Sequence, residues 1–192
     1  MGNLKRRIAI LISLLFASLG FGVITKYLDS VPYFSDVFTR LGIWVFIGTL
    51  IAAYSKTPIR AGIHTMIFFL GMLSGYYVYS AMLFGVFSTS YILYWGVIAL
   101  ASPFLAAIVW FAKNNSRSAF ILPAFPMGLM LSLSVGVGIF YVYLNYITEL
   151  IMYCVLCIIF YKEPKQMMLI ILFSVLLTFI IKQSPLSWYT AF

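Results

Sequence analysis

The side chains that could support chemistry are few, because the 192-residue chain holds one histidine and four acidic residues. The histidine, His64, follows Arg60 by four positions, so the two share one face of a helix that we expect to begin near Pro58. Such a pair could relay a proton, bind an anion or contact a lipid head group. The alternative is an interfacial pair, in which His64 bonds a backbone carbonyl and Arg60 serves as a topology signal.

Glu149 is the one acidic residue inside a predicted membrane span. Ionisable residues within spans are rare and often functional, usually with a partner of opposite charge. The candidate partners on the same side of the membrane are Lys26, Arg40 and Lys182. Two interpretations follow for Glu149: a structural ion pair or solvated position, and a role in ligand binding or ion coupling.

The remaining motifs argue against catalysis and metal binding. Cys154 and Cys157 lie in an apolar run without a third or fourth ligand nearby, and adjacent helical turns do not suit a disulfide. A single histidine excludes a multi-histidine metal site. The chain has no Gly-rich phosphate loop, no H-E-x-x-H and no G-x-S-x-G. We therefore expect a protein that is not an enzyme and that uses no metal and no cofactor.

The composition indicates the kind of structure that holds these side chains in place. Apolar residues make up 64% of the chain and charged residues only 8%, far from the balance of a soluble domain. The formal charge of +8 is spread in small groups between apolar runs, which does not predict nucleic-acid binding. We predict an all-α, polytopic transmembrane helical bundle that forms a single integral membrane domain over residues 1–192, with the lipid bilayer as its first partner.

Seven apolar runs are long enough to be considered as spans. They cover residues 8–25, 38–54, 59–82, 90–112, 118–140, 145–161 and 166–182. A six-span alternative leaves residues 145–182 without two full crossings. Pro103 should kink the fourth span, and Pro123 with Pro126 should kink or interrupt the fifth.

The cations predict the orientation, since Lys and Arg are retained on the cytoplasmic side. With the N-terminus inside, nine of the 12 cations fall in inner connections, and three of the four acids fall outside. The inner set is Lys5, Arg6, Arg7, Lys56, Arg60, Lys113, Arg117, Lys162 and Lys165. Seven spans then place the C-terminus outside.

Tyrosines concentrate in the outer half of this topology, where 11 of the 14 fall. An aromatic belt alone should populate both interfaces. The excess could line an outward-facing cavity, with rings and hydroxyls offered to a ligand. The ligand contacts that we predict are Tyr76, Tyr77, Tyr94, Tyr143, Glu149 and Arg40. The alternative is a one-sided belt combined with packing inside the bundle.

Two stripes of small residues predict close helix contacts. Ala9, Ser13 and Ala17 recur every four residues in the first span, and Gly71 and Gly75 do so in the third. Small residues one turn apart let helices approach closely in lipid. Such stripes serve packing within one chain or the docking of a partner subunit.

Residues 55–113 resemble small multi-pass membrane proteins of Gram-positive bacteria, an uncharacterised group. The resemblance rests on the runs SKTPIRAGIHTMIFFLGMLSGYY and SYILYWGVIALASPFLAAIVWFAK. It implies a protein of the bacterial cytoplasmic membrane, and it implies no activity.

Two functions are compatible with these features. The first is a compact transporter, or a transporter's membrane subunit, that binds a small molecule from the outer side. In size the chain is similar to the substrate-binding membrane subunits of energy-coupling vitamin transporters. The second is an accessory or immunity protein that docks another membrane protein and has no solute pocket.

Overall fold

The computed structural model describes residues 2–29, 31, 38, 40–85, 89–115, 117–136, 142 and 146–184. Within these residues the chain forms seven α-helices and one short 3₁₀ turn, Ser118–Phe120. The helices are α1 (Gly2–Asp29), α2 (Leu41–Ala53), α3 (Pro58–Phe84), α4 (Thr89–Asn114), α5 (Ala124–Ser134), α6 (Ile147–Phe160) and α7 (Pro164–Gln183). The prediction of an all-helical bundle is confirmed.

Four helices are long and apolar enough to cross a membrane, which supports an integral membrane protein. The candidate spans are Ile8–Asp29, Pro58–Phe84, Ile92–Asn114 and Pro164–Gln183. The other three helices, α2, α5 and α6, have 13, 11 and 14 residues. At 1.5 Å per residue they are about 17 to 21 Å long, against a hydrocarbon core of about 30 Å.

Local sequence explains where the long helices begin and end. Thr57 caps α3 by accepting a 3.2 Å hydrogen bond from the backbone N–H of Arg60, and Pro58 occupies the first turn. The same helix ends at Gly85, whose φ of 71° lies in the left-handed region. At the start of α7, Gln166 Oε1 accepts from the backbone N–H of Glu163 at 3.4 Å.

The fifth predicted span, 118–140, is the clearest departure from expectation. The helix in this region covers only Ala124–Ser134, after the 3₁₀ turn and Pro123. Pro123 and Pro126 have no N–H to donate, so they fit only the start of a helix. This explains why the predicted fifth span is interrupted at these two prolines. After Ser134 the backbone of Val135 is extended and forms an isolated antiparallel bridge with Val142. A β-branched residue beside a glycine is a poor helix former, which accounts for this end.

Pro103 lies inside α4 without ending it. A proline at this position leaves the carbonyl of Ala99, four residues earlier, without its helical donor. The hydroxyl of Ser102 donates to that carbonyl oxygen at 2.7 Å. The carbonyl freed by the proline is therefore satisfied within the helix itself.

Helices α1 and α3 pack closely and run in the same direction. A Cβ added to Gly71 would meet Ser18, and one added to Gly75 would meet the backbone of Leu19. From the α1 side, a Cβ on Gly22 would meet the backbone of Met72. The Gly71 and Gly75 stripe thus serves packing within the chain. The second predicted stripe, which holds Ala9, Ser13 and Ala17, is exposed on another side of α1.

The helix ends fall into two groups at opposite ends of the bundle. Trp110 Nε1 donates to the Ser55 carbonyl at 2.8 Å, which joins the end of α4 to the α2–α3 connection. Gln166 Nε2 donates to the Ala119 carbonyl at 2.8 Å, which joins the start of α7 to the turn before α5. Since α1 and α3 are parallel, α1 begins at this end as well. We call it the basic end, because it carries the cations of the predicted inner connections.

Candidate functional site

The opposite end of the bundle contains a buried ion pair between Arg40 and Glu149. Arg40 immediately precedes α2, and Glu149 lies in the first turn of α6. The Arg40 Nη1 atom is 3.7 Å from Glu149 Oε1, with side chains 12% and 3% exposed. The two helices begin at the same end of the bundle, and this brings residues 109 positions apart into contact. Of the three partners predicted for Glu149, the structure selects Arg40.

Gly42 makes room for the carboxylate. A Cβ added to Gly42 would lie 2.9 Å from Glu149 Cγ and 3.4 Å from Leu133 Cδ1 of α5. Because Gly42 is in the first turn of α2, the carboxylate lies beside the N-terminal turns of α2 and α6. Helix N-termini carry partial positive charge and stabilise a negative group placed there. Arg40 and the two helix N-termini together offset part of the cost of burying the Glu149 carboxylate.

Tyr146 holds the other side of the guanidinium. The Arg40 Cζ atom lies 4.0 Å from the centroid of the Tyr146 ring, a cation–π distance. Tyr146 immediately precedes α6, so one helix start supplies both the ring and the carboxylate that contact Arg40. The guanidinium is thereby positioned between an aromatic face and an acid.

One oxygen of Glu149 is unsatisfied. Glu149 is 2% exposed, and Oε2 has no hydrogen-bond partner in the described part of the chain. The 3.7 Å separation from Arg40 to Oε1 also exceeds an ordinary N–H···O hydrogen bond. Leaving a buried charged group without its hydrogen bonds is costly, and ionisable residues at such depth commonly mark binding or transport sites. Glu149 is therefore the strongest single indication of function in the described residues.

Helix α3 extends beyond the level of the Arg40–Glu149 site. A Cβ on Gly48 of α2 would be 3.2 Å from Phe69 of α3, which fixes the relative register of the two helices. Arg40 lies eight residues before Gly48 along the chain. From Phe69, α3 continues for 15 residues to Phe84. At 1.5 Å per residue, α3 extends about 10 Å further than Arg40. The tip of α3 thus extends beyond the level of Arg40.

A second polar cluster joins α1 to α3 at the same end and was not foreseen from the sequence. Lys26 Nζ is 2.8 Å from Asp29 Oδ2, and the Tyr76 hydroxyl donates to the same oxygen at 2.9 Å. Lys26 also donates to the Tyr76 hydroxyl at 3.3 Å and lies 5.3 Å from the centroid of the Phe84 ring. The i,i+3 spacing of Lys26 and Asp29 was the available signal. The charges of Lys26 and Asp29 compensate each other, so we assign this cluster a structural role.

The tyrosines predicted as ligand contacts do not gather at one point. Tyr76 belongs to the α1–α3 cluster, and the Tyr77 ring packs edge-on against it at 5.4 Å between centroids. Tyr94 is 59% exposed on α4. Tyr143 lies outside the described residues. Of the predicted contacts, the structure joins Arg40 with Glu149 and Tyr76 with Tyr77.

Arg60 and His64 lie on the first two turns of α3, at the basic end. Both are partly exposed. The lipid or proton role of this pair stays a prediction. Elsewhere in the described ranges, no three His, Cys, Asp or Glu side chains gather as a metal site would require.

Comparisons with known proteins place the chain in a family. No curated protein and no solved structure matches the chain. The resemblance of residues 55–113 to uncharacterised proteins agrees with a family match that covers residues 1–186. The chain belongs to DUF6518, a family of unknown function.

Proposed function

We propose that the protein is a non-enzymatic, seven-span protein of the bacterial cytoplasmic membrane that binds a small ligand from the outer side, as a compact transporter or a transporter's membrane subunit. The observation that carries the proposal is the buried Arg40–Glu149 pair, in which Glu149 Oε2 lacks a partner among the described residues. Membrane proteins retain such groups chiefly where they bind something.

The distribution of charge supports the orientation in this proposal. Lys56 and Lys162 lie in two different connections at the basic end, and Lys113 lies in the last turn of α4 at the same end. The positive-inside rule makes that end cytoplasmic, with the N-terminus inside. Glu149 then faces the outer side, where a ligand arriving from outside would meet it.

Native mass spectrometry of the protein in lipid nanodiscs tests the ligand-binding function. The variant is Glu149→Gln, and the matched control is Glu163→Gln, which changes the chain's other glutamate at an exposed position of the basic end. We expect a small bound mass on the wild type and on the control, and its loss from Glu149→Gln. A mass that persists in all three proteins, or one that is absent from all three, would contradict the proposal.

A second candidate function is that of an accessory protein that docks a transmembrane helix of another protein. The specific observation is that Ala9, Ser13 and Ala17 face outward on α1, and a Cβ on Gly20 would meet nothing within 4 Å. Small residues on a lipid-facing surface allow a second helix to approach closely.

Co-purification distinguishes this second function from the first. We would compare Ser13→Leu with Ser74→Leu, a control that makes the same change on an exposed face of α3. Docking through α1 predicts that a stoichiometric partner is lost from Ser13→Leu and kept by Ser74→Leu. Equal recovery of the partner with both variants would contradict docking through this stripe.

A further inference from the structure

We infer that the basic ends of α1 and α3 together bind the head group of one anionic phospholipid from the leaflet at that end. This surface lies at the opposite end of the bundle from the Arg40–Glu149 site, and the inference does not depend on the proposed ligand-binding function. It follows from the register of the two helices, from the cations that this register brings together, and from the apolar surface beside them.

The close contact between α1 and α3 determines which of their residues lie at the same level. A Cβ added to Gly71 would meet Ser18, and one added to Gly75 would meet Leu19. Residues at the same level therefore differ by 53 to 56 in number. Because the two helices run in the same direction with the same rise per residue, this offset also applies toward their N-terminal ends.

The offset places cations of both helices side by side at the basic end. Lys5 and Arg6, which are exposed near the start of α1, fall level with positions 58 to 62 of α3. Arg60 is in the middle of that range and lies on the same face of α3 as Gly71, since the 11 positions that separate them make about three turns. Gly71 faces α1, so Arg60 lies on the side of α3 toward α1. Three cations from two helices thus gather at one end of the α1–α3 pair.

Neither helix carries an acid near these cations. Asp29, the acid of α1, lies at the opposite end and pairs with Lys26 at 2.8 Å, and α3 contains no acid. Of the acids in the described residues, Glu163 is the one at the basic end, where it caps the start of α7. Cations at a membrane surface attract anionic phospholipids, and basic pockets between transmembrane helices bind their head groups.

The surface beside the cations is apolar, which favours a lipid over a soluble anion. Ile59 and Ile63 on α3 are 74% and 44% exposed, and Ile8 and Ile12 on α1 are 47% and 49% exposed. A free phosphate would leave these side chains uncovered. The acyl chains of a phospholipid whose phosphate lies at the cations would cover them and gain by the hydrophobic effect.

His64 extends the site by one turn toward the centre of the membrane. It follows Arg60 by four positions, so the two side chains lie on one face of α3. The ester groups of a phospholipid lie deeper in the membrane than its phosphate. The imidazole N–H can therefore donate to an ester carbonyl while the Arg60 guanidinium binds the phosphate.

A lipid titration followed by native mass spectrometry tests the inference on the full chain in detergent. The probes are dioleoyl phosphatidylglycerol, dioleoyl phosphatidylcholine, which has the same chains without a net charge, and glycerol 3-phosphate, which is a soluble anion without chains. The variant Arg6→Gln/Arg60→Gln removes two cations from the site. The matched control, Lys162→Gln/Lys165→Gln, removes two exposed cations around the start of α7 at the same end.

We expect the first phosphatidylglycerol to bind the wild type and the control equally tightly, and to bind the variant about 30-fold more weakly. This corresponds to about fivefold for each cation. Arg60→Lys keeps the charge and should bind the lipid nearly as tightly as the wild type. That variant separates a loss of charge from a loss of packing.

Several results would overturn the inference. An equal loss in the control would show that binding follows the total charge of the basic end and not the α1–α3 site. Phosphatidylcholine that binds as tightly as phosphatidylglycerol would remove the need for an anion, and glycerol 3-phosphate that binds as tightly would identify a soluble anion as the occupant. If Arg60→Lys weakens binding as much as the double variant, the charge is not what binds the lipid. The absence of bound phosphatidylglycerol from the wild type would overturn the site and leave the proposed function, which is tested at Glu149, unaffected.

Discussion

Two buried side-chain oxygen atoms in the described residues lack a hydrogen-bond partner, and they belong to side chains of different chemistry. Glu149 Oε2 belongs to an acid, which we expect to keep its charge for a purpose. Thr65 Oγ1 belongs to a neutral hydroxyl on α3, next to Gly48 of α2. A threonine can be replaced by valine of nearly the same shape, so its hydroxyl can be tested separately from its packing.

We expect Thr65→Val to leave the protein equally stable or more stable by up to about 1 kcal/mol, because the change removes an unsatisfied polar atom. Thr178→Val is the matched control, since the Thr178 hydroxyl bonds the Ser174 carbonyl at 2.8 Å. That control should lose about 1 kcal/mol. Reversible unfolding in detergent measures both changes. A clear loss of stability in Thr65→Val would show that its hydroxyl has a partner in the membrane.

The serine beside Pro103 permits a prediction at the same scale. Ser102→Ala should destabilise the protein by about 1 to 2 kcal/mol, since it leaves the Ala99 carbonyl without the 2.7 Å hydrogen bond. Adding Pro103→Ala should restore stability, because the new N–H at position 103 can donate to the same carbonyl. Unfolding of the single and double variants checks this, and a double variant as unstable as Ser102→Ala would contradict the account.

The sequence was enough to identify residues of the site, but it did not show which of them contact one another. Glu149 stood out as an acid within an apolar run, and Arg40 was one of three candidate partners. Selecting Arg40 requires knowing that α2 and α6 begin side by side and that Gly42 leaves room for the carboxylate. Tyr76 was predicted for the ligand site, but its hydroxyl bonds Asp29. Such contacts depend on tertiary packing, which no local spacing encodes.

At the scale of the elements, the contact between α1 and α3 depends on glycines at the points of closest approach. Gly75 would place a Cβ against the backbone of Leu19, where no flexible side chain can move aside. Gly20 on α1 would place one in open space. Both glycines are helical, so they share the same intrinsic preference for replacement by alanine.

We therefore expect Gly75→Ala to destabilise the protein and Gly20→Ala to leave it unchanged or to stabilise it by up to about 1 kcal/mol, the helix-propensity gain of alanine over glycine. The loss at Gly75 should exceed that gain, because α1 must move away from α3. Thermal unfolding of both variants in the same detergent measures the difference. Equal stability of the two variants would show that α1 and α3 are not closely packed.

Long apolar helices with clear terminal residues were predictable, and the short ones were less so. The runs 59–82 and 166–182 became Pro58–Phe84 and Pro164–Gln183, where proline and capping residues mark the starts. The run 118–140 reads as a continuous apolar span, yet α5 covers only Ala124–Ser134. A hydropathy profile does not detect the antiparallel bridge between Val135 and Val142, which takes the place of helical hydrogen bonds after Ser134.

At the scale of the whole molecule, the helix ends lie in two groups at opposite ends of the bundle. The orientation of the bundle in the membrane can therefore be tested. Tyr161 is exposed at the basic end, and Gly85 is exposed where α3 ends on the opposite side. In a background with Cys154 and Cys157 replaced by alanine, we expect Gly85→Cys to react with a membrane-impermeant maleimide added to intact cells. Tyr161→Cys should react only after the cells are opened. The reverse pattern would contradict an inner N-terminus.

The unequal lengths of the helices have a consequence for the surrounding lipid. Helix α6 has 14 residues, and Ile147, Ile151 and Ile158 on it are 50%, 58% and 76% exposed. In the proposed seven-span topology, an apolar face about 21 Å tall borders a hydrocarbon layer of about 30 Å. A bilayer adapts to such a mismatch by thinning, at a fraction of a kcal/mol per Å. We expect shorter acyl chains to collect beside α6, where a lowered membrane surface brings water and head groups nearer to Glu149.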